Sequence, residues 1–383
     1  MTDLTISPEN TIMKKEKLDK FAELLLNRTV ELEKGDNVYL SANSMDVKPL
    51  FDKVREKVIK RGAYPHEHLI YDSQLGRAGM DYTWLKHASD QQLENTSEAK
   101  KKELEEMDVY LTISNRNNEN ELNNIDSSKI AKRKRNNKVL ADMRRKTKWG
   151  LTRYPTDSLA QKASMSTEDF KEFLFQAVDI NWERLEEKNR KIKETFDDTD
   201  TVRIVSNDTD LEFSIEKRKG IMGNGKRNLP DGEVFYAPVT NSVEGEIRFT
   251  YPGRKQGNEV TNVWLKLEKG RIVEFNADKN REFLREQINT DEGAHYFGEF
   301  GIGTNWKIDR FTNEMGLDEK MGGTVHFALG NGFNKGLPED EEPNESAIHW
   351  DIVKDLKKPE GDGGKIIADG EVVQKDGEWQ IDI

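Results

Sequence analysis

The 383-residue chain predicts an α/β N-terminal domain, a parallel sheet with helices, followed by an α+β C-terminal domain. Three observations carry this. Length alone sets a prior of about two to three domains. Short apolar strands alternate with one-faced helical patterns through the first half of the chain, the mark of βαβ units. After Asp200 helices give way to hairpins, which places the boundary between an α/β domain at 1–199 and an α+β domain at 200–383.

The elements follow in order. From Lys14 onward, Leu18, Phe21, Ala22 and Leu25 fall at i, i+3, i+4 and i+7 of a helix. Gly35-Asp36 stops it, and Asn37-Val38-Tyr39-Leu40-Ser41 reads as a buried strand. A second helix carries Leu50, Phe51, Val54, Val58 and Ile59 to Gly62, and strand His68-Leu69-Ile70-Tyr71 follows. An amphipathic stretch from Leu85 to Met107 leads into strand Val109–Ile113. The last helix of this half opens at Ser166-Thr167, an N-cap with Asp169 in the first turn, and turns Phe170, Phe173, Leu174, Ala177 and Ile180 to one side. Beyond it, Thr201–Val205 and Leu211–Ile215 flank the turn Asn207–Asp210. Val263, Leu265 and Leu267 alternate with polar or aromatic neighbours up to Lys269-Gly270, and Ile272–Phe275 returns. One helix is expected over Asp278–Ile288, and Asp369-Gly370 marks a C-terminal hairpin.

Composition narrows the chemistry. The absence of cysteine excludes disulfides, zinc ribbons, iron–sulfur clusters and a thiol nucleophile, so a metal would be held by carboxylate, imidazole, carbonyl or water. Charged residues make up 34% against the usual share of about 25%, and no apolar run reaches the roughly 18 residues that span a bilayer. The N-terminus lacks the basic-then-apolar order of a secretory signal, so a cytoplasmic address and no membrane contact are expected. With 72 acidic and 60 basic side chains the net charge is −12, which opposes phosphate-backbone binding at long range. Lys129–Lys148 is nonetheless rich in Lys and Arg; without interleaved aromatics it reads as an exposed helix face rather than a nucleic-acid surface. The Asn-rich stretch 115–124 and the acidic run Glu339–Glu342 read as surface loops.

The six histidines can be taken singly. His66 and His68 form an H-x-H whose nearest acid, Glu67, faces the other side of a strand. His87 and His295 sit on polar helical stretches. These four read as exposed or capping residues. In Thr324–Leu329, by contrast, period-2 alternation puts Val325, Phe327 and Leu329 on one face and His326 beside small Ala328 on the other. His349 and Asp351 flank Trp350, so in an extended chain imidazole and carboxylate converge; metal ligation and a surface His–Asp hydrogen bond both fit. Gly232-Glu233-Val234-Phe235 and Gly298–Gly303, with Glu299, each set a carboxylate in an apolar run, where it needs a cation, a basic side chain or several donors. Asp318-Glu319-Lys320 precedes the His326 strand.

NLPDGEVFYAP (228–238), GEFGIGTN (298–305), DEKMGGTVHFALG (318–330) and NESAIHWD (344–351) closely resemble, in order and spacing, the signature segments of the thermophilic-type leucyl aminopeptidases, the aminopeptidase T family. ELEKGDNVYLSA (31–42), KVIKRGAYPHEHLIYD (57–72) and KWGLTRYPT (148–156) extend the resemblance over nearly the whole chain. It implies a cytoplasmic, homodimeric, two-metal exopeptidase acting on peptides with a free N-terminus, with ligands at Glu233, Glu299, Glu319, His326, His349 and Asp351. Such a mixed oxygen and nitrogen set suits two divalent ions such as Zn²⁺, Co²⁺ or Mn²⁺. The resemblance also implies a catalytic tyrosine seven residues after His326, where this chain has Phe333; Asn331 and Tyr236 are the nearby candidates to replace its donor. Two rival readings are a catalytically silent metal-binding homologue and a relative of the ring-cleaving dioxygenases that resemble this family but use one iron.

Overall fold

The computed structural model describes residues 15–70, 79–115, 117, 118, 120–359 and 362–383. The N-terminal segment, the helix start at Lys14, Tyr71 of the expected second strand and two positions of the Asn-rich stretch lie outside them. The chain forms two compact units, 1–179 with 225–230, and 180–224 with 231–383. Helix Trp182–Asp197, which the sequence groups with the N-terminal half, belongs to the second unit, where its Ile192 and Phe196 join the main hydrophobic core.

The first unit is built on a parallel sheet in the order Tyr64–Leu69, Asn37–Ala42, Val109–Ser114, Lys148–Arg153, Asn228–Leu229. Val38, Leu40, Val109, Leu111 and Ile113 are fully buried, as expected of parallel strands covered on both faces. Ser166 caps helix Thr167–Val178 by accepting from the Asp169 backbone N–H at 3.1 Å. The stretch Leu85–Met107, expected as one amphipathic element, is three short helices, Tyr82–His87, Asp90–Glu94 and Glu98–Glu105. Asp81, Ser89 and Ser97 each cap a new start, so side-chain acceptors divide a helix that hydrophobic periodicity alone would run together. Asn115, the first residue of the Asn-rich stretch, is buried rather than exposed and accepts from Thr156 and Ser158.

The second unit holds an eight-stranded antiparallel sheet and a five-stranded one. The smaller runs His349–Asp355, Thr324–Gly330, Phe297–Gly303, Glu233–Tyr236, Ile221–Gly223, all antiparallel. One face of it carries Phe300, Ile302, Val325, Phe327, Leu329, Trp350 and Ile352 into a core shared with Leu211, Phe213, Ile247 and Leu265 of the larger sheet. Phe213 meets Phe300 edge-on at 4.8 Å and Phe327 at 5.5 Å. In the Asp369-Gly370 turn both residues have positive φ, 46° and 87°, the mirror-image geometry that matches hairpin twist.

Candidate metal centre

Because side chains alternate across a strand, driving Val325, Phe327, Leu329 and Trp350 into the core turns their neighbours onto the opposite face. There Glu299 lies opposite Ala328, which lies opposite Asp351; Gly301 lies opposite His326, Gly303 opposite Glu233, and Gly330 opposite His349. Every position between the ionisable groups is Gly or Ala. The imidazole of His326 fills the space over Gly301, where a Cβ would come within 2.1 Å of its Cε1 and Nε2.

Two triads result, each with ligand atoms within 4.8 Å of one another: Glu233, Glu299 and His326, and Glu299, His349 and Asp351. Glu299 is common to both. His326 Nε2 lies 3.3 Å from Glu299 Oε1 and 3.5 Å from Glu233 Oε2. His349 Nε2 lies 3.3 Å from Asp351 Oδ2 and 3.7 Å from Glu299 Oε2. His349 Nδ1 donates to the Asn331 carbonyl at 2.7 Å, which leaves the Nε2 lone pair facing the carboxylates. Of the six residues expected as ligands, five meet in these triads. Glu319 stands beside them, its carboxylate on the buried Lys320 ammonium.

The cluster is short of positive charge. Burial raises Glu233 to about 8, the Lys320 charge only partly opposing it, and burial likewise raises Glu319. Burial would lower His326, but its bond to Glu299 and the charges of Glu233 and Glu299 outweigh that and raise it to about 9. The Asp351 carboxylate raises His349 to about 10 and is itself held well below its usual range, chiefly by His349 acting against burial.

Sequence reasoning missed four contributors. Lys320, 1% exposed, lies 3.2 Å from Glu233 Oε1 and 4.0 Å from Asp231 Oδ1, and also contacts Glu319. Five carboxylates less this ammonium leave four negative charges, the charge of two divalent ions. Asn331 holds His349, and Asp291 ties down the segment before it by accepting from Ala347 N and Ser346 Oγ, each at 2.7 Å. Lys320 directly follows Glu319 and Asp231 stands two residues before Glu233, but nearness in sequence does not say which way a side chain turns; Asp291 lies far along the chain from His349 and leaves no signal. Tyr236 cannot replace the family tyrosine. It alternates to the core side of its strand, and its hydroxyl lies 3.1 Å from both Lys193 O and Asp197 Oδ1. Asn331 is committed to local bonds, its side-chain amide donating to Gly332 O at 2.7 Å. Phe333 packs edge-on against Phe235 at 5.2 Å.

The donor set fits hard-to-borderline divalent ions. Glu233 Oε2, Asp351 Oδ1 and His326 Nδ1 are buried without a hydrogen-bond partner, and two of these three are carboxylate oxygens that a cation would satisfy.

Residues 14–379 match the model of a family described as thermophilic metalloprotease (M29). "Aminopeptidase 2" of Geobacillus stearothermophilus is 23% identical over 416 residues, covering 96% of this chain and 98% of that protein. "Aminopeptidase T" of Thermus aquaticus is 33% identical over 171 residues, 40% of each chain. Wild-type AmpT from Thermus thermophilus superposes with a TM-score of 0.78 at 23% identity over 96% of this chain and all of that one, a likeness of fold.

Proposed function

The chain belongs to the thermophilic metalloprotease (M29) family and is a metal-dependent aminopeptidase, and we propose that its chemistry runs on two divalent ions shared through Glu299. The observation that supports this reading is the pair of triads on one sheet face with Glu299 in both. Glu233 and His326 would complete one ion's protein ligands, His349 and Asp351 the other's. Zn²⁺, Co²⁺ or Mn²⁺ in such a pair would polarise the scissile carbonyl, lower the pKa of a water and accept the substrate's free α-amine. A single-iron centre has no use for the second triad.

The remaining residues serve proton handling and positioning. We assign Glu319 to proton transfer rather than ligation. It stands outside both triads, and burial raises its proton affinity toward the range where a carboxylate can take and return a proton. Lys320 fixes that carboxylate and offsets part of the charge around Glu233. Phe333 provides shape without a hydroxyl, so transition-state stabilisation by a tyrosine donor is missing from its position. A free-N-terminus peptide substrate, a homodimer and a cytoplasmic address complete the proposal.

The test is hydrolysis of leucyl-p-nitroanilide by protein stripped with chelator and reloaded with Zn²⁺, Co²⁺ or Mn²⁺, alongside metal analysis. Activity should return with about two ions per chain and be absent on the N-acetylated substrate. A stoichiometry of one, or equal rates on the blocked substrate, would overturn it. Phe333→Tyr should raise kcat on the order of 10²-fold, the worth of one well-aimed donor, with KM little changed.

A further inference from the structure

A second site is built into the first unit, independent of the metal centre. Between helices Glu98–Glu105 and Lys138–Lys146, over the parallel sheet, lies a cavity of about 330 Å³. Its walls are apolar, from Ile70, Met80, Leu104 and Leu140. Basic side chains line it as well, Arg135, Lys138 and Arg144 together with Lys100, Lys134 and Arg145, and among the described residues no carboxylate does, although Arg145 pairs with Asp142 outside the lining. In a chain of net charge −12 this wall is locally basic.

Arg144 is the informative residue. Its guanidinium lies over the rings of Trp149 (5.3 Å) and Tyr110 (5.7 Å), and its Nε is buried without a hydrogen-bond partner. Among the described residues no carboxylate pairs with it. Burial lowers its pKa and Arg145 adds repulsion, with only Tyr110 opposing. Arg144 itself is half-buried, and a guanidinium with its Nε withdrawn from water normally has a carboxylate or phosphate across from its planar fork. Ring faces satisfy its charge partly but accept none of its N–H donors. Lys100, in contrast, is matched by Glu103 at 2.7 Å.

We propose that this cavity binds a small organic anion, its carboxylate or phosphate paired with Arg144 and its apolar body against Ile70, Met80, Leu104 and Leu140. The volume suits a ligand of acyl-chain or mononucleotide size. Exposed Arg135 and Lys138 at the rim draw the anion in, and the apolar wall separates an organic anion from a bare one.

The test is isothermal titration of the full chain with octanoate, adenosine monophosphate and inorganic phosphate as separate probes. One of the two organic anions should bind saturably at one site per chain, at least tenfold more tightly than inorganic phosphate; which one identifies the source. Arg144→Gln should weaken binding tenfold or more, with circular dichroism confirming the fold. Should that variant fail to fold, the surface double variant Arg135→Glu with Lys138→Glu decides, with a loss of at least threefold expected. Absence of saturable binding by both organic probes, phosphate binding as tightly as either, or affinity unchanged in the variants would overturn the proposal.

Discussion

Two histidine sites, one in each unit, start from similar ingredients and end differently. In the first unit His68 Nε2 lies 2.9 Å from Glu103 Oε1 and its ring stacks on Tyr39 at 3.9 Å. Glu103 is also claimed by Lys100, and burial, with Lys100 adding to it, lowers the pKa of His68. In the second unit His326 and His349 face three carboxylates between them, and both pKa values rise. The contrast therefore lies less in histidine spacing than in the excess of carboxylates over the cations beside them. The H-x-H of His66 and His68 has the more suggestive motif and the poorer electrostatics.

The sharpest way to break this contrast is to remove the carboxylate both triads share. Glu299→Gln should lower kcat/KM by about 10³-fold or more and bring bound metal below one ion per chain, because each of the two proposed ions would lose a charged ligand. Metal analysis beside circular dichroism separates this from unfolding. Retention of two ions would show that Glu299 is not the common ligand.

A steric change comes next. Gly301 has no positive φ, so alanine fits its backbone, but the new Cβ would sit 2.1 Å from two atoms of the His326 ring. The imidazole must move. Gly301→Ala should weaken metal binding about 10- to 100-fold, as disturbances of ligand orientation do, and cost about 1–3 kcal/mol of stability through overpacking. Competition with a chelator and thermal melting measure the two effects. Unchanged metal affinity would mean that His326 is not a ligand.

The raised pKa values give a smaller, signed effect. Near pH 7, metal-stripped protein should hold protons on His349 (about 10), His326 (about 9) and Glu233 (about 8), and ions must displace them. Uptake should therefore strengthen as pH rises from 7 toward 10 and weaken as it falls, with about two to three protons released at pH 7. Titration in buffers of different ionisation enthalpy counts them. His68, with its pKa lowered, contributes none.

How much of this was legible in the sequence follows from the kind of signal each part leaves. Strands showed themselves through apolar runs and alternation, and alternation also aimed His326, His349 and Asp351 correctly off the core. The division of Leu85–Met107 into three helices was hidden, because Ser89 and Ser97 act as caps only once a helix is allowed to end there. Lys320 and Asp231 leave no clear signal, since nearness in sequence to a proposed ligand does not say which way a side chain turns. Asp291 brings two distant segments together through bonds that no local pattern encodes. The basic segment Lys129–Lys148 reads as a solvated face, which holds for Lys134, Arg135 and Lys138 but not for Arg144 or the buried Arg133; of the rings under Arg144, Trp149 directly follows the segment and Tyr110 comes from a strand well before it.

The least effect should come from the histidine with the more suggestive motif. His68→Gln removes a ring stacked on Tyr39, which itself stacks on Tyr110 at 4.5 Å, and such pairs are worth about 0.5–1.5 kcal/mol beyond their buried area. It also removes the contact with Glu103, but Lys100 remains to match that carboxylate. The variant should melt slightly lower than the wild type while metal content and kcat stay unchanged. Because His68 is neutral near pH 7, its stability cost should be the same at pH 7 and pH 8. A fall in metal content comparable to that of His349→Ala would show that motif spacing, rather than unmatched carboxylates, governs where this chain holds metal.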